Sequence, residues 1–502
     1  MGTYQVRVKV ELVKCDNTKE HDVMKESGGS FAMTISEQDA ASIDNSEKAV
    51  LRTAYPAMRE AVSKHLSGVS KEKALEEAEP TEVMANSRPY KVDGEIGRFE
   101  FTTHRVACGG EVQYNTAQGL FPELKAKEFY RTSGFKEIAM IYGDTEQSYR
   151  KTTDLINRVR HQEQGGTAYR TLRENTEKEG TELIDFIAEK SKRVLQKHDF
   201  TEDGIYQGHN ETYTNTEPAT LPAEKVAEAA KKIGDKFDIT EILNNPVCYE
   251  DPEKTVNAAI DDVNVKKQKQ TREKVKSHEE TKRKYVHNTV VHMKKGDQRY
   301  TLNGYGIKTV LCFVIAFILN NNLIGNRFQF FTDGHKTLIE TIFKCFSWYK
   351  NIGMILDWYH LKKKCKEQLS LGMKGRVFRN QVLEQLLPLL WHGLTDKAVV
   401  LIKEIPCSQI KDSAATDKLI EYLNRNKPYI PCYAIRKELG LCNSSSIGEK
   451  MNDLVVSERQ KHNGMSWSLP GSVALATITA LKRNGESTRW FEKRGLRFKL
   501  AA

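Results

Sequence analysis

No two cysteines of this sequence form a C-x-x-C pair. The nine, at 15, 108, 248, 312, 345, 365, 407, 432 and 442, are odd in number and scattered. That argues against a disulfide framework or a zinc cluster and favours a reducing interior. Long hydrophobic runs are lacking too. The longest, VLCFVIAFIL at 310–319, is too short to span a bilayer and reads as a core helix. The opening residues, MGTYQVRVKVELV, alternate polar and apolar side chains and lack the continuous apolar core of a secretory signal. The expectation is a cytoplasmic protein with no membrane partner.

What is present is charge. Of 502 residues, 39% are apolar and 29% charged, the balance of a globular protein. The formal net charge is +10, which favours a polyanionic partner. The length allows several domains.

In the first half, Tyr4, Val6, Val8, Val10 and Leu12 predict a half-buried strand over 3–13. Val50, Leu51, Ala54, Met58, Val62 and Leu66 predict a helix over 46–67, with Pro56 as a kink. EKALEEAEPTE reads as a solvated helix end and linker. RFEFTTHRVACGGEVQYN reads as a hairpin turning at Gly109-Gly110. These make an α+β region, 1–125. Residues 126–199 read as helical, with breaks at Gly143-Asp144, Gly165-Gly166 and Gly180. Short helices joined by glycine turns, with Arg150 and Lys151 on the later one, resemble a helix-turn-helix DNA reader. An ordinary bundle with solvated lysines and arginines fits the same pattern. Residues 200–254 read as a linker with one short helix near 223–234.

The second half changes character. TVNAAIDDVNV is a short apolar strand holding Asp261 and Asp262. A run over 266–284 carries nine Lys or Arg against three Glu. YVHNTVVHM and the segment after Gly296-Asp297 are two more strands. A helix over 307–320, a strand ending at Asp333, a helix, and a strand ending at Asp357 follow. Three strands joined by turns pair as a meander, and strands reached through helices return by crossovers. The result is a mixed sheet flanked by helices. If the first and fourth strands are neighbours, Asp261 and Asp333 converge, and a divalent cation would offset their repulsion. The stretch between 362 and 445 reads as amphipathic helices.

This order, with IDDVNV, FFTDGHKTL, ILDWYHL and SSSIGEKMNDLVVSERQKHNGMSWS, resembles the DDE transposases of bacterial insertion sequences. The likeness is to Mutator-like groups with an RNase H-like catalytic core, and covers about 255–495. It implies a core in two parts, 255–361 and 446–502, around the insertion 362–445. It implies catalytic carboxylates at Asp261, Asp333 and Glu449. Asp262 is an alternative for the first, because alternation points the two aspartates to opposite faces. Glu458 stands near Glu449, but Gly448 before Glu449 and Arg459 ten residues after it favour Glu449.

The chemistry needs an activated oxygen nucleophile and a stabilised leaving oxygen. Two Mg²⁺ ions about 3.5–4 Å apart serve both, with Mn²⁺ as a substitute. The resemblance thus implies Mg²⁺ held by Asp261, Asp333 and Glu449. It implies cleavage of the ends of a transposable element, then attack of the freed 3′-hydroxyl on target DNA. Double-stranded DNA is the expected partner, a homodimer or larger assembly the working form, and the nucleoid the location. Asp357 and His360 match the family's accessory Asp-x-x-His, supporting the site rather than ligating metal. A helix cap and a helix-surface histidine fit the same residues. Lys362, Lys363, Lys364, Arg459, Lys461, His462 and Trp467 are expected phosphate or base contacts, alongside Arg150 and Lys151. Trp391 fits either a base-stacking or a core role. Two rival functions remain: a non-catalytic DNA-binding derivative, and an RNase H-like nuclease without strand transfer.

Overall fold

The computed structural model describes residues 2–15, 23–124, 129–162, 165–209, 213, 219–233, 237–268, 285–461 and 465–500. Most of the basic run expected over 266–284, and His462, lie outside them. The chain divides into two compact units. One is Met1–Thr176 with Ser487–Gly495, and the other Glu177–Glu486 with Leu496–Ala502.

In the first unit, β1 (Thr3–Cys15) pairs antiparallel with β2 (Val23–Ser36), a strand the alternation did not reveal. Both lie on α1 (Ile43–Glu77), which extends ten residues past the expected end and runs through Pro56. Its buried stripe is small: Ala49, Thr53, Ala57, Ala61, Ser70 and Ala74. That lets β2 come close, since a Cβ on Gly29 would stand 2.1 Å from the Ala57 carbonyl oxygen. A four-stranded sheet follows, in the order β5-β4-β3-β6. Its strands are β3 (Val83–Gly94), β4 (Gly97–Cys108), β5 (Glu111–Asn115) and β6 (Tyr130–Arg131). β4 and β5 are the expected hairpin. Helix α2 (Tyr149–Val159) carries Arg150 and Lys151 at its exposed start. Asp93, fully buried, accepts from Arg160 Nη1 at 2.7 Å and Thr167 Oγ1 at 2.8 Å, a paired charge inside the unit.

Helix α3 (Tyr169–Lys197) begins in this unit and continues into the second. It does not break at Gly180. A Cβ there would stand 2.5 Å from the Ala474 carbonyl oxygen, so this glycine marks a close helix contact. The stretch from 200 is also no free linker. Phe200, Tyr206 and Tyr213 pack with Trp348, the Phe200 and Trp348 rings 4.8 Å apart. α4 (Ala223–Lys232) is the expected short helix.

The second unit is built on a five-stranded sheet, order β11-β10-β7-β8-β9. Its strands and helices follow the expected sequence: β7 (Thr255–Lys266), β8 (Tyr285–Lys295), β9 (Gln298–Gly304), α5 (Ile307–Asn320), β10 (Arg327–Thr332), α6 (Lys336–Cys345) and β11 (Ile352–Leu356). β7, β8 and β9 form the antiparallel meander, and β7, β10 and β11 are mutually parallel across β10. α5 buries nine of its fourteen residues. Tyr300 of β9 packs against its Phe317, while the opposite-parity Asn303 bonds Thr477 of the helix Leu469–Arg483. Successive strand residues point to opposite faces, so helices cover both sides of this mixed sheet.

The insertion holds α7 (Trp358–Gly372), α8 (Arg376–Trp391), α9 (Thr395–Lys403) and α10 (Ser413–Asn426). Leu361, Leu386, Ile402 and Leu419 form its core, continuous with Phe331, Ile355 and Leu356 of the sheet. Trp391 is partly buried and packs against that core, 4.8 Å from the Trp358 ring. Helices α11 (Ser446–Asn452) and α12 (Leu469–Arg483) complete the unit. Among the described residues no helix is long and apolar enough to cross a membrane.

Candidate active site

Parallel pairing sets two aspartates side by side. Phe331 of β10 is in register with Ala259 of β7. Asp333 and Asp261 each lie two positions beyond that pair, on strands that run together about 4.8 Å apart. Although Asp261 is exposed, the protein crowding its carboxyl strips water from it and pushes its pKa up. The Asp262 N–H donates to Asp261 Oδ1 at 2.8 Å and opposes that rise. The negative charges of Asp333 and Asp262 add to it, and His360 counteracts them. Asp262 faces the other way: Thr289 of β8, its register partner, donates its hydroxyl to the Asp262 carboxylate. Of the two candidates, Asp261 therefore joins Asp333.

Asp333 is held by its own loop. Its Oδ1 accepts the His335 N–H at 2.9 Å, and its carbonyl accepts the Tyr422 hydroxyl at 2.8 Å. Burial keeps the Tyr422 phenol protonated far above its usual range, so it stays a donor. Gly334 has φ +86°, and a Cβ there would stand 2.9 Å from the Tyr422 ring. Only glycine suits that turn against that neighbour.

Glu449 arrives on α11. A Cβ on the preceding Gly448 would sit 2.3 Å from the Ala259 Cβ, so the glycine lets α11 lie directly on β7. From there Asn452 donates to Asp261 Oδ2 at 3.2 Å. Glu449 Oε1 lies 2.9 Å from His360 Nε2. Glu458 stays exposed beyond the next turn. Glu449 thus reaches the neighbourhood of Asp261 but is bound to His360. Among the described residues no three His, Cys, Asp or Glu groups stand as a ready metal-ligand set. The crowded Asp261 and Asp333 carboxylates offer hard oxygen donors whose repulsion a cation would relieve.

Asp357 is buried and does two jobs. Its Oδ1 caps α7 by accepting the His360 N–H at 3.0 Å. Its Oδ2 accepts both the N–H and the hydroxyl of Ser445, the latter at 2.8 Å, at the start of α11. One carboxylate therefore fixes the helix that presents His360 and the helix that presents Glu449.

Two expected DNA contacts are corrected. Arg459 and Trp467 are 4% and 7% exposed, and the guanidinium sits 5.1 Å over the indole. Trp467 Nε1 donates to the Gln460 carbonyl at 3.0 Å. They form a shielded cation–π pair within the unit, with no surface left for a phosphate. Lys363 and Lys461 are exposed and Lys362 half-buried. Arg150 and Lys151 belong to the first unit, where Arg150 lies over the Tyr169 ring.

Sequence reasoning missed Asn452, Ser445 and Tyr422. Asn452 had a signal, lying three residues after Glu449 on the same helical face. Ser445 and Tyr422 had none, because each meets its aspartate 88 or 89 positions away.

No family model and no curated protein matches the chain. Among solved structures, the chain has a distant likeness to a Drosophila P element transposase strand transfer complex. It has 11% identity, covers 75% of this chain and 83% of that one, and has a TM-score of 0.22. At that score the likeness bears on neither fold nor activity. What stands is a mixed α/β chain with a crowded acidic cluster on two adjacent inner strands of its larger sheet.

Proposed function

We propose that the protein is a metal-dependent DNA-cleaving and strand-transferring enzyme, a DDE transposase of the Mutator-like kind on an RNase H-like core. One observation carries this reading. Asp261 and Asp333 project at the same level from neighbouring parallel strands, close enough for the charge of one to raise the pKa of the other. A crowded carboxylate pair of this kind is costly unless a cation joins it. Bound Mg²⁺, or Mn²⁺ in its place, would be held by Asp261, Asp333 and Glu449, and would supply an activated oxygen nucleophile and a stabilised leaving oxygen.

The chain's own groups orient that site. Tyr422 and the His335 N–H fix Asp333. Asn452 steadies Asp261, and His360 holds the Glu449 carboxylate until a cation competes for it. Asp357 keeps both helices in register. Double-stranded DNA is the substrate, with two copies of the chain engaging two ends.

The test is an assay with labelled terminal sequences of the transposable element, a target plasmid and Mg²⁺. Cut ends and joined products are expected from the wild type and neither from Asp333→Asn. Retained metal-dependent cleavage by Asp333→Asn would sink the catalytic assignment. Nicked DNA without joined products would reduce the activity to hydrolysis.

A further inference from the structure

A cavity of about 460 Å³ opens beside Asp333 and His360. Four cations line it: Lys336 on α6, Lys363 and Lys364 on α7, and Arg425 on α10. Only two carboxylates face them, Asp333 and Glu367. Among the described residues Lys363, Lys364 and Arg425 form no ion pair, and Lys336 reaches Glu340 only at 3.8 Å. The Lys364 ammonium and the Arg425 guanidinium each lie 5.8 Å from the centre of the Tyr422 ring. That ring is pinned by its hydroxyl to Asp333. α6 starts at this cavity without a side-chain cap, so its first N–H groups add positive potential. Cations that outnumber the carboxylates round an opening next to an acidic cluster call for an anion there.

We propose that this cavity is a subsite for a phosphate of the DNA strand adjacent to the one that is cut, with the insertion supplying Tyr422 and Arg425. The proposal builds on the function proposed above and names a part of the substrate. A strand whose scissile phosphate lies at Asp261 and Asp333 must pass its neighbouring phosphates within a few ångströms. Lys364 and Arg425 then neutralise one of them, and the rigid Tyr422 couples its position to Asp333. The insertion thereby becomes part of the substrate cradle.

The test uses the full chain and duplexes in which single phosphates flanking the cut are replaced by neutral methylphosphonates. Binding is measured without metal, and KM and kcat with Mg²⁺. At one flanking position the wild type is expected to lose affinity about tenfold. The Lys364→Ala/Arg425→Gln double variant should lose as much on unmodified DNA and be indifferent to that replacement, as coupled partners are. Its salt dependence should fall by about one unit of slope per lost phosphate contact. A penalty seen only on removing the 5′-phosphate left by the cut would assign the cavity to that monoester. Lys363→Ala, at an exposed position, is a milder second variant that should raise KM and leave kcat near wild type. Lys403→Ala, exposed on α9, is the control and should change nothing. If the double variant keeps its fold, affinity and full sensitivity to every replacement while Asp333→Asn is dead, the subsite is wrong and the catalytic reading survives. If the wild type binds no DNA, or Asp333→Asn still cuts, the function itself has failed.

Discussion

At Asp261, electrostatics and stability are tied together. Its folded pKa is raised, chiefly by crowding and then by Asp333. A raised carboxyl stabilises the fold most below its unfolded value, about 4, and loses that contribution as pH climbs through its folded value. At neutral pH the ionised group is therefore a cost. Asp261→Asn should melt higher than wild type in EDTA at pH 7, with the advantage shrinking toward pH 4. Mg²⁺ should raise the wild-type melting temperature and leave the variant unmoved. Asp357 predicts the opposite sign. In Asp357→Asn the cap to His360 can persist, but an amide NH₂ confronts the Ser445 N–H and hydroxyl. The cost should be about 1–3 kcal/mol by urea denaturation, with a larger fractional loss of cleavage because His360 and Glu449 lose their common anchor. Ser445→Ala, which removes one of those bonds, should be milder on both counts. The sequence narrowed the first acid to two neighbours. It could not choose between them, because the choice lies in Thr289, which alternation alone does not bring to Asp262.

Helices and strands were legible where one periodicity ruled. α5 and the strands β7 to β11 follow their hydrophobic patterns, and the register of β7 with β10 puts Asp261 level with Asp333 as the strand order implied. Legibility failed where glycine served packing instead of turning. Gly180 reads as a break yet lies inside α3, where Ala474 leaves no room for a side chain. β2 escaped notice because Gly28 and Gly29 interrupt its alternation, and Gly29 is there to admit α1. Arg459 and Trp467 read as exposed ligands because a cation beside an aromatic has the same spelling on a surface and in a core. Gly448 gives the test for α11. Gly448→Ala would drive a methyl to 2.3 Å from the Ala259 Cβ, so α11 must lift from β7. A stability loss of about 1–3 kcal/mol is expected, with cleavage falling at least tenfold as Glu449 withdraws. Adding Ala259→Gly should restore much of both, and failure of that rescue in a folded double variant would refute the contact.

Across the whole molecule, distant segments are riveted together by buried charge. Arg436 and Glu250 are 0% and 1% exposed, and the guanidinium meets both carboxylate oxygens at 2.5 and 2.6 Å. It ties the end of the insertion to the approach to β7, across 186 positions. Arg436→Met strands a buried carboxylate and should cost about 3–5 kcal/mol, whereas pairing it with Glu250→Leu should recover most of that. Both variants can be ranked by chemical denaturation of the second unit. Nothing in the local sequence announces this pair, since neither residue has a periodic or motif context. The same long reach appears where the chain passes from residue 486 to 498. Ser487–Gly495 belongs to the first unit, and Phe498 is buried in the second against Tyr300 and Phe317, with Glu486 holding its N–H at 3.0 Å. A ribosome must therefore have delivered Ser487–Gly495 before the first unit is whole, and Phe498 before the second is. During synthesis the acidic cluster is assembled on an unfinished scaffold, and a message cut short before Phe498 yields a second unit that lacks part of its core.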